Sequence, residues 1–361
     1  MRRWLGGWQG MAMGMVFGLV VGCGREPVSS VGPIEVEPEQ VVEALKAGDL
    51  HQLEVWAQAG ALHQELLSNR EALEAAVRSG EPRALRRVLE VKQNAGELND
   101  VLGIAVNQGL AAMVPLLVEA GAQARVWWEG APLLAWALAA RSQETVQALV
   151  TAGVEVNEVL PSPAPERLVQ AMEDERLAYY LRREREVTPL MVASSTGQLG
   201  AVRILLEAGA MRNAKTARHR TTAIWMAGKN QHVEVVQLLL GKDPSPEAQI
   251  RRIEISLSQQ RATLIEAGNR VLESPISSGK KGFATPKGRF VVTNKYRDWK
   301  STLYEGAPMP FFMRLSCSDF GLHAGRLPGY PASHGCIRLP RDKAVAFFER
   351  TEVGTLVEIV D

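Results

Sequence analysis

From about Val41 to Asp243 apolar positions recur at helical spacing in short bursts, and each burst is cut by a glycine. The clearest burst runs from Thr188 to Ala210, TPLMVASSTGQLGAVRILLEAGA. Thr188-Pro189 starts a helix, with Pro in a first-turn position where its missing N–H costs nothing. Small residues at Ala193 and Ser194 allow a second helix to approach closely. Gly197 breaks the first helix, Val202, Leu205 and Leu206 lay an apolar stripe on the next, and Gly209 ends it. Gly197 and Gly209 stand 12 residues apart, as do Gly109 and Gly121, and Gly48 and Gly60. About six such units fit the stretch 41–243, enough to bury a continuous core by stacking. Residues 161–186 fall outside the period and predict an insertion with one amphipathic helix.

The period ends at Asp243, where Asp243-Pro244-Ser245-Pro246 opens a linker over 244–249. Alternation replaces helical spacing after it. Ile253, Ile255 and Leu257 read as one strand, Ala262 to Glu266 as a second, and Ala267-Gly268-Asn269 as a hairpin turn between strands. Further strands are predicted at 289–293, 311–315 and 354–360, with a helix over 342–352. Residues 250–361 therefore predict a mostly β domain, large enough to fold alone.

Composition changes little in this picture. Forty-one Lys and Arg face 40 Asp and Glu, so net charge offers no case for nucleic acid. Three cysteines in 361 residues exclude a disulfide scaffold. The N-terminus adds a third region. Arg2 and Arg3 precede the apolar run Met11–Val21, which is too short to cross a bilayer comfortably and reads as a secretory signal. Val20-Val21-Gly22-Cys23 resembles the bacterial lipobox. That resemblance implies a signal peptide over 1–22, lipidation of Cys23 and a membrane-anchored protein facing the periplasm of a bacterial envelope. Residues 23–40, rich in Pro, Gly, Ser and Glu, read as a flexible tether.

The repeated unit resembles the ankyrin repeat, with its TPLHxA start and terminal LLxxGA. The resemblance implies an all-α solenoid whose exposed face binds an unidentified protein or serves as a spacer. Trp127, Trp128, Trp136 and Trp225 read either as an aromatic recognition patch or as core. His232 matches the histidine of the repeat's Gly-His turn, a structural role.

Candidate chemistry concentrates in Gly321–Leu339, GLHAGRLPGYPASHGCIRL. A thiol attacks a carbonyl as thiolate, and imidazoles at His323 and His334 are available to take its proton. Gly335 permits a tight turn in which its own N–H and that of Cys336 face a developing oxyanion. Arg338 suits a substrate carboxylate. The order of His323, then Ser333-His334-Gly335-Cys336 and Arg338, resembles the L,D-transpeptidase (YkuD-type) catalytic domain. Ser258-Gln259-Gln260, Ser278-Gly279-Lys280 and Ala284-Thr285-Pro286-Lys287-Gly288 match its further segments in order.

The resemblance implies Cys336 as nucleophile, His323 as base, the Ala324 carbonyl as its orienter, and His334 and Ser333 as supports of the turn. It implies acyl transfer at a peptidoglycan stem peptide through a thioester, with no cofactor or metal. An amine acceptor gives a 3–3 crosslink or an attached protein; water makes a carboxypeptidase. The loop between His323 and Ser333 is shorter than in many members and reads as a compact turn. Basic residues between Lys280 and Lys300 suit an anionic polymer or a solvated strand face. Rival readings are a zinc site from Cys317, His323, His334 and Cys336, a Cys317–Cys336 disulfide, with Cys317 otherwise a buried strand residue, and a non-catalytic wall-binding adaptor. The fold class expected is thus multidomain, an all-α ankyrin-repeat solenoid followed by a mostly β L,D-transpeptidase-type catalytic domain.

Overall fold

The computed structural model of the chain describes residues 34–246 and 250–361. The basic start, the apolar run, Cys23 and the centre of the linker lie outside the described residues. The helical region is built from two layers. Leading helices Pro38–Ala47, Arg70–Arg78, Ala95–Asn107, Leu133–Ala139, Pro189–Ser195 and Ala223–Lys229 each pack on the next. Returning helices Pro82–Leu89, Met113–Glu119, Gln143–Thr151, Leu199–Glu207 and Val233–Leu239 do the same beside them. None of these helices exceeds 13 residues, so isolated they would be marginal, and buried side chains such as Leu73, Leu102 and Leu205 hold them together.

The breaks between helices are fixed by conformation and packing together. Gly197 adopts φ +71°, and a Cβ there would lie 2.5 Å from the His232 ring. That imidazole Nε2 sits 2.9 Å from the Ser195 carbonyl oxygen, tying one unit to the next. Thr188 caps its helix through the Met191 N–H, and Pro189 takes the first turn.

Residues 161–186 carry two short helices, Glu166–Ala171 and Glu175–Arg183, where the sequence predicts one. Leu133–Ala139 packs directly on Pro189–Ser195 across them, so the stack is continuous and the extra pair lies beside it. The tryptophans divide. Trp136 is fully buried and its Nε1–H donates to the Trp128 carbonyl at 2.8 Å, whereas Trp127 is half exposed. Trp127–Trp128 (β1) and Ala131–Pro132 (β2) form a small hairpin between units.

The C-terminal part holds an eight-stranded sheet: Arg251–Ser256 (β3), Arg261–Glu266 (β4), Asn269–Pro275 (β5), Gly288–Tyr296 (β6), Phe312–Leu315 (β7), Gly321–Ala324 (β8), Ile337–Leu339 (β9) and Leu356–Val360 (β10). Their order is β5-β4-β3-β10-β6-β7-β8-β9, antiparallel except for the β3/β10 and β8/β9 pairs. The chain after β5 nearly closes this sheet. Ser277 exchanges two backbone hydrogen bonds of 3.0 Å with Arg338 of β9. Alternate residues Ile253 and Ile255 of β3 point inward, with Leu322, Ile337 and Phe347 of the helix Arg341–Arg350 filling the same core.

Sheet and helices share a buried boundary across the predicted linker. Val291 of β6 and Leu356 of β10 are buried in the core of the helical stack. The Gln237 side-chain amide donates to the Gly354 carbonyl at 2.9 Å, and Arg289–Glu234 (2.8 Å) and Lys242–Glu352 (2.6 Å) flank it. Beyond the linker expected over 244–249, complementary surfaces hold the two parts together. Cys317 also departs from its predicted place in a strand. It lies in the turn after β7 at φ +57°, half buried, and neither it nor Cys336 is in a disulfide.

Candidate active site

Strands β8 and β9 run in parallel with His323 opposite Arg338, so topology brings together residues 15 apart in sequence. Cys336 stands immediately before β9. His323, Ser333, His334, Gly335, Cys336 and Arg338 all line one cleft of about 870 Å³. Ala324, the next residue after His323, contributes its carbonyl rather than a side chain.

Backbone bonds and one threonine shape the turn that presents Cys336. Gly335 adopts φ +113°, a conformation that L side chains rarely take. Buried Ser333 donates its hydroxyl to the Cys336 carbonyl and accepts from the Gly335 N–H at 3.1 Å. That Gly335 N–H is therefore engaged within the turn and does not face the cleft as an oxyanion donor, contrary to the sequence reading. Thr285 Oγ1 donates to the Gly335 carbonyl at 2.8 Å and accepts from the Gly279 N–H at 2.9 Å. One buried hydroxyl thus joins the two motif segments around the turn. Gly279 leaves no room for a side chain, since a Cβ would lie 2.0 Å from the Phe283 carbonyl oxygen. Gln260 secures the outer end, donating to Ser278 Oγ at 2.7 Å and accepting from the Ser278 N–H at 3.0 Å.

The charge states follow from burial. His323 Nδ1 lies 2.8 Å from the Ala324 carbonyl oxygen. A carbonyl only accepts, so Nδ1 carries the proton and Nε2 keeps its lone pair in the neutral ring. Burial lowers the His323 pKa to about 4; the Ala324 hydrogen bond opposes this and the Arg338 charge adds to it. Burial also raises the Cys336 thiol pKa, partly offset by the Gly321 N–H and by Arg338. Both groups are therefore neutral at pH 7, with the sulfur holding its proton and the imidazole ready to accept one. His334 is exposed and sits between aromatic rings, 4.6 Å from Phe283 and 4.8 Å from Tyr304. Arg338 has no carboxylate partner among the described residues, so its guanidinium is available to a ligand.

Other features correct or extend the sequence reading. Most of the basic cluster is paired: Lys287 with Asp361, Arg289 with Glu234, and Arg297 with Glu349. Lys295 donates to the Phe348 and Thr351 carbonyls at the end of a helix. The cluster is thus a set of local contacts and no continuous polyanion track. The loop from Gly325 to Ala332 is compact, pinned by the Ser277 hydroxyl donating to the Tyr330 carbonyl at 2.7 Å. Sequence reasoning missed Tyr304 and Asp319, which line the cleft from irregular segments. It also missed Lys229 and Gln231, which reach the cleft from the last helix pair of the stack. Nothing in their local sequence marks them, because only the docking of helices on the sheet puts them there.

The sequence profile of the L,D-transpeptidase catalytic domain matches residues 250–359, and that of ankyrin repeats in three copies matches 168–250. The ankyrin match includes Glu175–Arg183, so part of the segment read as an insertion falls inside the matched span. An L,D-transpeptidase YkuD of Bacillus subtilis is 30% identical over 121 residues, 32% of this chain and 70% of that protein. Its counterpart in Bacillus licheniformis is 29% identical over 119 residues, 32% of this chain and 68% of that protein. A solved L,D-transpeptidase from Mycobacterium tuberculosis is 23% identical, with a TM-score of 0.30, over 31% of this chain and 58% of that one. One from Enterococcus faecium is 25% identical, also with a TM-score of 0.30, over 39% of this chain and 64% of that one. The chain thus spans less than two thirds of either solved relative. Through residues 250–359, following ankyrin repeats, the chain belongs to the L,D-transpeptidase family of the YkuD type.

Proposed function

We propose that the protein is a cysteine acyltransferase acting on peptidoglycan stem peptides. The observation that carries this reading is the neutral His323, its Nε2 unprotonated, lining the same cleft as the free Cys336 thiol. His323 accepts the thiol proton as sulfur attacks the carbonyl of the third-position diamino acid. The Cys336 N–H faces the oxyanion of the tetrahedral intermediate. Collapse breaks the bond to the terminal D-alanine, whose nitrogen takes the proton back from His323, and leaves a thioester on Cys336. An amine of a second stem then attacks the thioester, giving a 3–3 crosslink and restoring the thiol. Another amine acceptor would attach a protein to the stem, and water would release a tripeptide.

Ser333 and His334 support the turn, and Arg338 holds a substrate carboxylate in a charge-assisted pair. The ankyrin repeats bind a protein partner. Cys23 carries the lipid that keeps the enzyme at a membrane of the bacterial envelope, a reading carried by the lipobox-like sequence alone. Substituting Cys23 by alanine would abolish acyl-lipid labelling.

Mass spectrometry of purified stem tetrapeptides incubated with the full chain tests the chemistry. Loss of D-alanine with crosslinked dimers is expected, and tripeptide alone would identify water as acceptor. Cys336→Ala is expected to lose all turnover while keeping its fold by circular dichroism. Retained turnover in that variant rejects the nucleophile.

A further inference from the structure

The cleft beside Cys336 is not built by the sheet alone. The tip of the last helix pair, Gly228 to Gln231, forms part of its wall. Two close approaches seat this tip. A Cβ on Gly228 would lie 2.5 Å from the Ser316 carbonyl oxygen, and one on Gly288 would lie 2.3 Å from Gln231 Oε1. The Ser316 contact is to backbone and leaves no space for a side chain, so the tip rests directly on the turn after β7, while the Gln231 amide lies over Gly288 at the start of β6.

The tip is also braced from behind by the start of the helix Glu175–Arg183 and its cap Asp174. Arg176 Nη1 donates to the Lys229 carbonyl and to Asn230 Oδ1, the latter at 2.6 Å. The Asn230 amide in turn donates to Asp174 Oδ2 at 3.0 Å and to the Ser195 carbonyl at 2.8 Å. Backbone flanking Lys229 is therefore held on both sides. Its ammonium stands 5.3 Å from the centre of the Trp225 ring and makes no ion pair among the described residues.

Charge in the cleft is one-sided. Lys229, Arg326 and Arg338 line it with a single carboxylate, Asp319, and with His323 and His334 as the remaining titratable side chains besides Tyr304 and the thiol. A walled cleft with an unmatched ammonium on a braced backbone recognises an anion. We infer that Lys229 is a substrate-binding residue supplied by the repeat region, and that it pairs with a carboxylate of an acidic stem peptide away from the bond being broken. This rests on the acyl-transfer reading above and gives the repeats a second role, as one wall of the substrate cleft. Arg176 and Asp174 act through it, as positioning residues.

The test uses the full chain carrying Cys336→Ala, which holds ligand without turnover, so that binding is separated from chemistry. It is titrated calorimetrically with a stem tetrapeptide and with the same peptide after amidation of its side carboxylates. Adding Lys229→Ala is expected to weaken the acidic peptide about tenfold and the amidated one by less than twofold, with Lys229→Arg restoring most of the loss. Equal losses for both peptides, no loss for either, or no binding of either to Cys336→Ala overturns the inference. In the active enzyme the same Lys229→Ala change is expected to raise KM with little change in kcat. Absence of D-alanine release by the unsubstituted enzyme would instead reject the acyl-transfer reading, and the titration would still decide the subsite.

Discussion

At the scale of single residues, the decisive feature is that burial keeps both proposed reacting groups, Cys336 and His323, uncharged. A thiol activated as an ion pair has its pKa pulled far below ~8.5 by a neighbouring cation. Here burial moves the thiol the other way, and His323 is driven to about 4. The proton therefore stays on sulfur until substrate arrives. The two acid–base limbs should appear well apart. Alkylation of Cys336 by iodoacetamide needs the thiolate, so its rate should keep rising about tenfold per pH unit from pH 7 to 9 without a plateau. In the proposed mechanism neutral His323 is the base, so kcat/KM should hold down to about pH 5 and fall as the ring protonates near pH 4. An acid limb centred at 6.5 would show an imidazole that burial does not shift, and an alkylation plateau below pH 8 would show a preformed ion pair. The same shift links to stability. Folded His323 resists protonation that the unfolded chain accepts, so its contribution is full above about pH 6.5 and declines as pH falls toward 4.

At the scale of elements, the cleft depends on short pieces held by side-chain bonds. Thr285 Oγ1 is the clearest case, joining the Gly279 segment to the Gly335 carbonyl from a buried position. Thr285→Val keeps the shape and removes both bonds, leaving a buried N–H and a carbonyl unsatisfied. The expected outcome is a ten- to hundredfold fall in kcat with a loss of about 1–3 kcal/mol in stability, and recovery in Thr285→Ser. Wild-type turnover in Thr285→Val would show that the turn holds itself. The motif order singled out Cys336, His323 and Thr285, and alternation marked β3, which has one face in the core. Strand β6 was marked by its unbroken apolar run Phe290–Val292 instead, since both its faces are buried. Three strands of the eight-stranded sheet were not legible, and neither was the small hairpin of β1 and β2. The short strand β8 is buried on both faces, so GLHA shows no alternation, and β9 spans only three residues. Strand β5 is mostly exposed, and only pairing with β4 defines it. The extra helix in 161–186 was hidden for a related reason: six residues, Glu166–Ala171, are too few to display a period.

At the scale of the molecule, repeats and sheet are one packed unit. Val291 and Leu356 leave the sheet to enter the helical core, and the Gln237–Gly354 bond is buried beneath them. Cutting the chain in the linker would expose both side chains, each worth about 1.5–3 kcal/mol when buried. It would also leave the Gly354 carbonyl without the Gln237 amide. Those losses together approach the ~5–15 kcal/mol that holds a domain folded. The isolated segment 250–361 is therefore expected to unfold at a clearly lower urea concentration than the same segment in the full chain, followed by the fluorescence of Trp299, the one tryptophan in that segment. To keep the signal specific, the full chain would carry phenylalanine at its other seven tryptophans, and a matched control would confirm turnover. Equal midpoints would mean that the sheet closes its own core and that the helices merely rest on it. Replacing Val291 by serine within the full chain gives an independent reading of the same boundary. It places an unpartnered hydroxyl in the shared core, and it should lower the midpoints of helices and sheet together, whereas a fall in one alone would separate them into two cooperative units.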